Sequence, residues 1–157
     1  MRRALVVVLC IIASALPAAG FAAPRECRNR DLDVSLRLDQ KRYRAGERVR
    51  MKMTVKNAGA RCTMVWSDGQ VADFYVFDAD KKVWSADACH AFTQAIVRED
   101  WPAGHQETYR ERWNKREGGR GCPGRGEQVA PGRYRAQGHF KGAGEPRTDK
   151  VPFRIVP

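Results

Sequence analysis

The chain has 157 residues and a formal net charge of +11, with 43% hydrophobic and 30% charged residues. This composition excludes a disordered chain and fits a single domain with its own hydrophobic core. A basic balance favours anionic partners, but the charged residues are spread between apolar ones along the whole chain, which indicates a solvated surface.

The first residues have the pattern of a secretory signal peptide. Arg2 and Arg3 precede an apolar run at residues 4–16, and small residues follow it. Residues 1–20 are therefore predicted to be removed, with cleavage after Gly20 or Ala22. The apolar run is shorter than the about 20 residues that span a bilayer, so no stable membrane anchor is expected. We expect a periplasmic or secreted protein, for which nucleic acid is not an expected partner.

Apolar residues that alternate with polar ones predict a series of short strands after the signal. Residues 43–47 form a turn, so the first two strands should make a hairpin. Residues 74–77 are apolar on both faces, which is typical of a central strand. The predicted strands cover residues 32–38, 49–55, 62–66, 74–77, 83–85, 109–113, 134–140 and 151–155.

Two stretches between these strands have other patterns. Residues 91–96 fit either a helical turn or an irregular strand, and the sequence does not decide between them. Residues 117–126 are too rich in Gly and Pro for a helix or strand and are predicted to be a loop. Many short strands with almost no helix predict an all-β fold in which two antiparallel sheets form a sandwich.

Four cysteines follow the signal, and an even number in an oxidising compartment predicts two disulfides. If the first hairpin is centred near residue 44, its register brings residue 27 close to residue 61. This favours Cys27–Cys62 and leaves Cys89–Cys122, although the other two pairings stay open because all four cysteines are predicted at one end of the sandwich. No C-x-x-C pair supports a zinc site or thioredoxin chemistry.

Several phrases occur in an order that resembles the intracellular proteinase inhibitor (BsuPI) family. An Ala-Gly-Glu turn precedes the second strand, and a Pro-Gly-x-Tyr turn begins the strand at 134. The phrases are found at residues 45–47, 67–78, 83–85, 91–95, 102–113, 129–134 and 153–155. The resemblance covers nearly all of residues 32–157, whereas the signal peptide and the four cysteines are not part of the family pattern.

The resemblance implies an immunoglobulin-like antiparallel β-sandwich over residues 28–157. It also implies a proteinase inhibitor that acts by binding its protein partner, with a serine proteinase as one candidate, and that is not an enzyme. The alternative is a non-inhibitory periplasmic module that binds a protein or an anionic envelope polymer. Within the loop at 117–126, the sequence suggests a partner-binding segment that is tethered by Cys122 and displays Arg116, Arg120 and Arg125.

Other groups of residues that could suggest a functional site are interpreted as parts of the fold. Ser85, Asp87 and His90 are close in sequence, but this spacing provides neither a base at the nucleophile nor an oxyanion hole, so no catalytic residue is assigned. Met51 and Met53 share one face of a strand and are expected in the core, so no metal or cofactor is expected. Among the tryptophans, Trp84 and Trp113 are expected in the core, and Trp101 is the one expected at the surface.

Overall fold

The structure is a computed structural model that describes residues 25–67, 69, 71–93, 95–119, 122 and 126–157. The predicted signal peptide, Arg120 and Arg125 lie outside the described residues. Among the described residues, the structure contains no helical segment with the length and hydrophobicity needed to span a bilayer.

The described residues form one 3₁₀ turn, Asn29–Asp31, and eleven strands. In chain order the strands are β1 (Leu32–Leu38), β2 (Arg42–Tyr43), β3 (Val49–Asn57), β4 (Cys62–Ser67), β5 (Ala72–Asp78), β6 (Lys81–Ser85), β7 (Ile96–Trp101), β8 (Gln106–Trp113), β9 (Gly118–Gly119), β10 (Gly132–Phe140) and β11 (Val151–Ile155).

These strands form three sheets that pack as a sandwich-like, all-β fold. The first sheet has the order β1-β3-β8, the second has the order β2-β11-β10-β5-β6-β9, and β4 pairs with β7. Most neighbours are antiparallel, while the β2–β11 and β6–β9 pairs are parallel. β5 lies between β10 and β6, in agreement with a stretch that is apolar on both faces.

Alternation along β3 explains how the first sheet contributes to the core. Met51, Met53 and Val55 are buried, whereas Arg50 and Lys52 between them are exposed. Burying one such apolar side chain contributes about 1.5–3 kcal/mol relative to leaving it in water. Met64 in β4 is also buried, and the core positions expected for Met51 and Met53 are confirmed.

Aromatic side chains fill the space between the two larger sheets. Trp113 is fully buried, and its ring centroid lies 6.2 Å from that of Trp84 and 6.3 Å from that of Phe153. The core positions expected for Trp84 and Trp113 are therefore confirmed. Trp101 is only 1% exposed, so its expected place at the surface is wrong. It packs against Phe140, with ring centroids 5.9 Å apart.

Three further observations concern the connections between the predicted strands. The hairpin of β1 and β3 forms with Leu36 opposite Met53, but the chain between them enters the second sheet, where β2 pairs with β11. Residues 91–93 and 95 form neither helix nor strand, and β7 begins at Ile96. The predicted loop at 117–126 includes the two-residue strand β9.

Both disulfides are present with the pairing that the sequence favours, Cys27–Cys62 and Cys89–Cys122. Cys62 is fully buried and Cys27 nearly so. Main-chain hydrogen bonds join Thr63 to the segment before β1, from Thr63 N to Arg25 O and from Cys27 N to Thr63 O, both 2.9 Å. The segment before β1 is thus fixed along β4.

Candidate functional site

The loop after β8 is closed at its base by paired main chains. Glu117 N donates to Glu127 O, and Val129 N donates to Lys115 O, both over 2.9 Å. Between these bonds, Arg116 and the facing Gln128 form an antiparallel bridge. The segment 117–127, here named the tethered loop, therefore has its two ends held together.

A disulfide and a short strand pairing fix the tethered loop against the turn after β6. Cys122 is bonded to Cys89 in that turn, and Gly119 in β9 lies opposite Ser85 in β6. Gly119 approaches so closely that a Cβ atom there would lie 2.4 Å from the Ala88 Cβ. The loop is therefore held at its base and on one side before any partner binds.

Of the three arginines predicted to be displayed by this loop, the structure describes only Arg116. Arg116 is half-buried at the base, and its Nη1 donates to Gly126 O over 3.1 Å. Its guanidinium thus helps to close the loop. Arg120 and Arg125 lie on either side of Cys122 in the sequence, outside the described residues.

Apolar side chains are exposed on the chain that leaves the disulfide. Phe92 is 36% exposed and Ile96 is 68% exposed. The Phe92 ring stacks on the exposed His90 ring, with centroids 5.8 Å apart. Exposed apolar patches can mark protein-binding surfaces, and sequence reasoning did not identify these two residues.

A buried polar cluster supports the turn that carries Cys89. Asp73 has no exposed surface and accepts hydrogen bonds from Ser85 Oγ (3.1 Å) and from Asp87 N (3.2 Å). Ser85 Oγ also lies 2.6 Å from Asp87 Oδ1, and Lys141 Nζ lies 3.6 Å from Asp87 Oδ2. These contacts fix the first residues of the turn to β5 and β6.

The two carboxylates of this cluster ionise differently. Burial, followed by the hydrogen bond and the charge of Asp87, raises the pKa of Asp73 to about 6. Burial also acts to raise the pKa of Asp87, but hydrogen bonds with Asp73 and Ser85 and the charge of Lys141 lower it overall. The pair therefore holds its first proton on Asp73.

A buried histidine lies beside this cluster. His139 is opposite Asp73 in the β5–β10 register, and its Nδ1 is 2.9 Å from Tyr75 Oη. Its Nε2 lies 3.3 Å from Glu145 Oε2, in an alignment that makes no hydrogen bond. Burial, together with the charges of Lys141 and Arg147, lowers the pKa of His139, so the ring is neutral at pH 7.

The geometry gives Ser85 a structural role. Its hydroxyl lies between two carboxylates and is buried, while His90 is exposed and stacked on Phe92. A serine nucleophile needs a base within about 3 Å, and no histidine contact to Ser85 occurs among the described residues. No group of three or more His, Cys, Asp or Glu in the described part of the chain could hold a metal ion.

The sequence pattern of the BsuPI family, described as intracellular proteinase inhibitor, matches residues 36–145. The chain belongs to this family. The matched region includes the buried polar cluster, the turn with Cys89 and the tethered loop, while the segment with Cys27 precedes it. A comparison with curated proteins gave no match.

Solved structures with a similar arrangement belong to much longer proteins. A β-glucosidase from Erythrobacter marinus is 12% identical, with a TM-score of 0.46 over 80% of this chain and 15% of that chain. The alkylpurine DNA glycosylase AlkC from Pseudomonas fluorescens is 16% identical, with a TM-score of 0.43 over 81% and 31%. The sporulation control protein Spo0M from Bacillus subtilis is 14% identical, with a TM-score of 0.41 over 81% and 50%. The chain thus spans half or less of each of these three structures.

Proposed function

We propose that this protein is an exported inhibitor of a serine proteinase and that it binds the enzyme through the tethered loop. The observation that carries the proposal is the match to the proteinase inhibitor family over residues 36–145. An inhibitor is a binding protein, which agrees with the structural role of Ser85.

The tethered loop supports the choice of binding segment. A loop that is already fixed in the free protein loses less conformational entropy when it enters a cleft, so more of its contact energy appears as affinity. The bonds at Glu117 and Glu127 and the Cys89–Cys122 disulfide supply this preorganisation. Arg120 or Arg125 would enter a pocket with an acidic floor, and Phe92 and Ile96 would contact the rim of the cleft.

The experiment is titration of one trypsin-like and one subtilisin-like proteinase with the oxidised protein spanning residues 21–157. We expect stoichiometric inhibition of at least one enzyme. Arg120→Ala and Arg125→Ala should each be tested against the trypsin-like enzyme, because loss of a residue that fills the specificity pocket weakens binding by about thirty-fold or more.

The two disulfides provide a matched pair of variants for this assay. Replacing Cys89 and Cys122 by serine should weaken inhibition and make the loop a cleavage site, because residue 122 is then no longer fixed to the turn after β6. Replacing Cys27 and Cys62 by serine removes the same number of bonds but leaves the tethered loop intact. If both double variants inhibit as well as the parent, the tethered loop is not the binding segment.

Absence of inhibition of both enzymes by a folded protein would contradict the proposal. A non-inhibitory binding module, the alternative function, would then be favoured. Circular dichroism of each variant provides the control for folding.

Export is the second part of the proposal and has its own test. The signal-like residues 1–20 and four cysteines without a C-x-x-C pair support it. N-terminal sequencing of the protein from its native cells should find Phe21 or Ala23 as the first residue. A protein that starts at Met1 or Arg2 and carries free thiols would contradict export.

A further inference from the structure

The outward face of the β1-β3-β8 sheet carries two adjacent rows of positive charge. Arg37, Lys52 and Arg110 lie directly opposite one another across the three strands, and Arg50 lies opposite Arg112 in the next row. All five side chains are exposed. Like charges in directly opposed positions destabilise a sheet, so this arrangement lowers the stability of the fold.

The two rows form the walls of an open groove of about 590 Å³ that crosses the strands. Leu38, Met51 and Glu111, which lie between the rows on the three strands, also line the groove. Neighbouring strands are about 4.8 Å apart, and successive residues on one face of a strand are about 7 Å apart. The groove, here named the cationic groove, is therefore wide enough for one extended chain.

Five cations line the groove together with two carboxylates, Asp39 and Glu111, so positive charge is in excess. Asp39 Oδ2 lies 3.9 Å from Arg50 Nε, and the same carboxylate accepts the Tyr43 hydroxyl at Oδ1 over 2.6 Å. Within the described ranges, the other four cations, Arg37, Lys52, Arg110 and Arg112, make no ion pair. A linear polyanion in the groove would replace repulsion with attraction along both walls.

The residues beside the groove narrow the chemistry of such a ligand. On the same face of the sheet, Ser35, Thr54 and Thr108 lie opposite one another. They form a third row, beside the row of Arg37, Lys52 and Arg110. Hydroxyl groups both donate and accept hydrogen bonds, which suits the hydroxyls of a sugar chain. Single-stranded nucleic acid is instead bound by aromatic residues that stack on its bases, and the outward positions of the described strands β1, β3 and β8 carry none.

We propose that the cationic groove binds a linear anionic polysaccharide, with acidic groups against the five cations and sugar hydroxyls against Ser35, Thr54 and Thr108. Arginine fits a carboxylate through two parallel hydrogen bonds, and four of the five cations are arginines. This binding site goes beyond the proposed inhibition and does not depend on it.

The first experiment measures binding of polygalacturonate to the full oxidised protein by titration calorimetry at several salt concentrations. We expect affinity that falls as salt rises, since screening weakens contacts between exposed charges. Lys52→Glu combined with Arg110→Glu should weaken binding about ten-fold or more, because each exposed charge contact contributes up to about a factor of five and reversal makes it repulsive.

The matched control is Arg133→Glu combined with Arg154→Glu, which reverses two exposed, directly opposed cations on the other large sheet. It changes the net charge equally and should leave polygalacturonate binding within about two-fold of the parent. Equal loss in both double variants would overturn the proposal, because it would show attraction to net charge. Absence of polygalacturonate binding to the parent would also overturn it.

A second pair of measurements tests the class of ligand. Thr54→Val combined with Thr108→Val removes hydroxyls without changing charge, so it should weaken binding of polygalacturonate but not of polyphosphate. Tighter binding of polyphosphate, single-stranded DNA or anionic phospholipid vesicles than of polygalacturonate would contradict a polysaccharide ligand. Proteinase inhibition by the Lys52→Glu, Arg110→Glu protein reports on the other proposal separately.

Discussion

At the scale of single residues, the ionisation of Asp73 should make the stability of the folded protein depend on pH. Its pKa is raised from 3.8 to about 6, mainly by burial and by the neighbouring Asp87. The folded state therefore binds this proton more tightly than the unfolded state does. The resulting stabilisation is complete below pH 3.8 and is lost as the pH rises through about 6.

His139 makes the stability of the folded protein depend on pH in the opposite direction, over the same pH range. Its pKa is lowered from 6.5 by burial and by two nearby cations. Protonation therefore favours the unfolded state, and His139 removes stability as the pH falls below 6.5. Because Asp73 and His139 lie opposite each other in the sheet, the parent protein combines both dependences.

Two single variants should separate these dependences between pH 4.5 and pH 7. The free energy of unfolding of Asp73→Asn should rise with pH, since only the histidine then titrates. That of His139→Gln should fall with pH, by about 2 kcal/mol for a carboxyl pKa displaced this far. Urea denaturation at fixed pH values measures both slopes. Parallel slopes in the two variants would contradict the assigned ionisation.

Asp31 and Asp100, whose pKa values are lowered, do not contribute to the pH dependence of stability between pH 4.5 and pH 7. Arg25 and the Arg28 main chain hydrogen-bond to Asp31 and lower its pKa to about 2. The stabilisation from Asp31 is therefore lost only as the pH falls from 3.8 towards 2. The pKa of Asp100 is likewise lowered, by Arg61.

At the scale of elements, the tethered loop depends on a glycine that has no room for a side chain. A Cβ at Gly126 would lie 2.0 Å from the Glu117 carbonyl oxygen, which is part of the main chain and cannot rotate away. Gly126→Ala should therefore open the base of the loop. Amide exchange should become faster at Glu117 and Val129 while the amide of Val55 in β3 stays protected.

Gly69→Ala is the matched control, because a Cβ there has nothing within 4 Å. Its exchange pattern should equal that of the parent. If Gly126→Ala also keeps slow exchange at Glu117 and Val129, the main-chain pairing at the base is not what closes the loop.

The strands themselves show which elements a sequence predicts well. β1, β3, β10 and β11 alternate between apolar and polar residues because one face of each is buried, and these strands lie where the sequence predicts. β7 was missed because Arg98, Glu99 and Asp100 are consecutive and exposed, which hides any alternation. Trp101 was expected at the surface because it lies between Asp100 and Pro102 at a turn, whereas its burial depends on contact with Phe140 from a distant strand.

The residues of the buried polar cluster and of the cationic groove were harder to predict from the sequence than the strands, because their contacts depend on strand pairing. The Ser85–Asp87 contact is within reach of sequence spacing, but the participation of Asp73 depends on the pairing of β5 with β6. The two rows of the cationic groove likewise follow from the registers of β1, β3 and β8, which place residues 37, 52 and 110 side by side. Net charge alone gave no indication of this clustering.

At the scale of the whole molecule, the two disulfides differ in their access to solvent. Cys27 and Cys62 are buried in the core, whereas Cys89 is exposed and Cys122 half-buried. Thiol–disulfide exchange requires a thiolate to reach one of the sulfur atoms. A mild reductant should therefore open Cys89–Cys122 first, which releases the tethered loop, while Cys27–Cys62 still holds the segment before β1 on β4.

Differential alkylation and mass spectrometry at increasing dithiothreitol concentration test this order. We expect an intermediate with two alkylated thiols, at Cys89 and Cys122, whose circular dichroism matches that of the oxidised protein. Loss of Cys27–Cys62 at higher concentration should then lower the free energy of unfolding by about 3–4 kcal/mol, as expected for a bond that links residues 35 positions apart. If Cys27 and Cys62 are alkylated first, or all four together, burial does not protect the inner bond and the two disulfides are not separable by access.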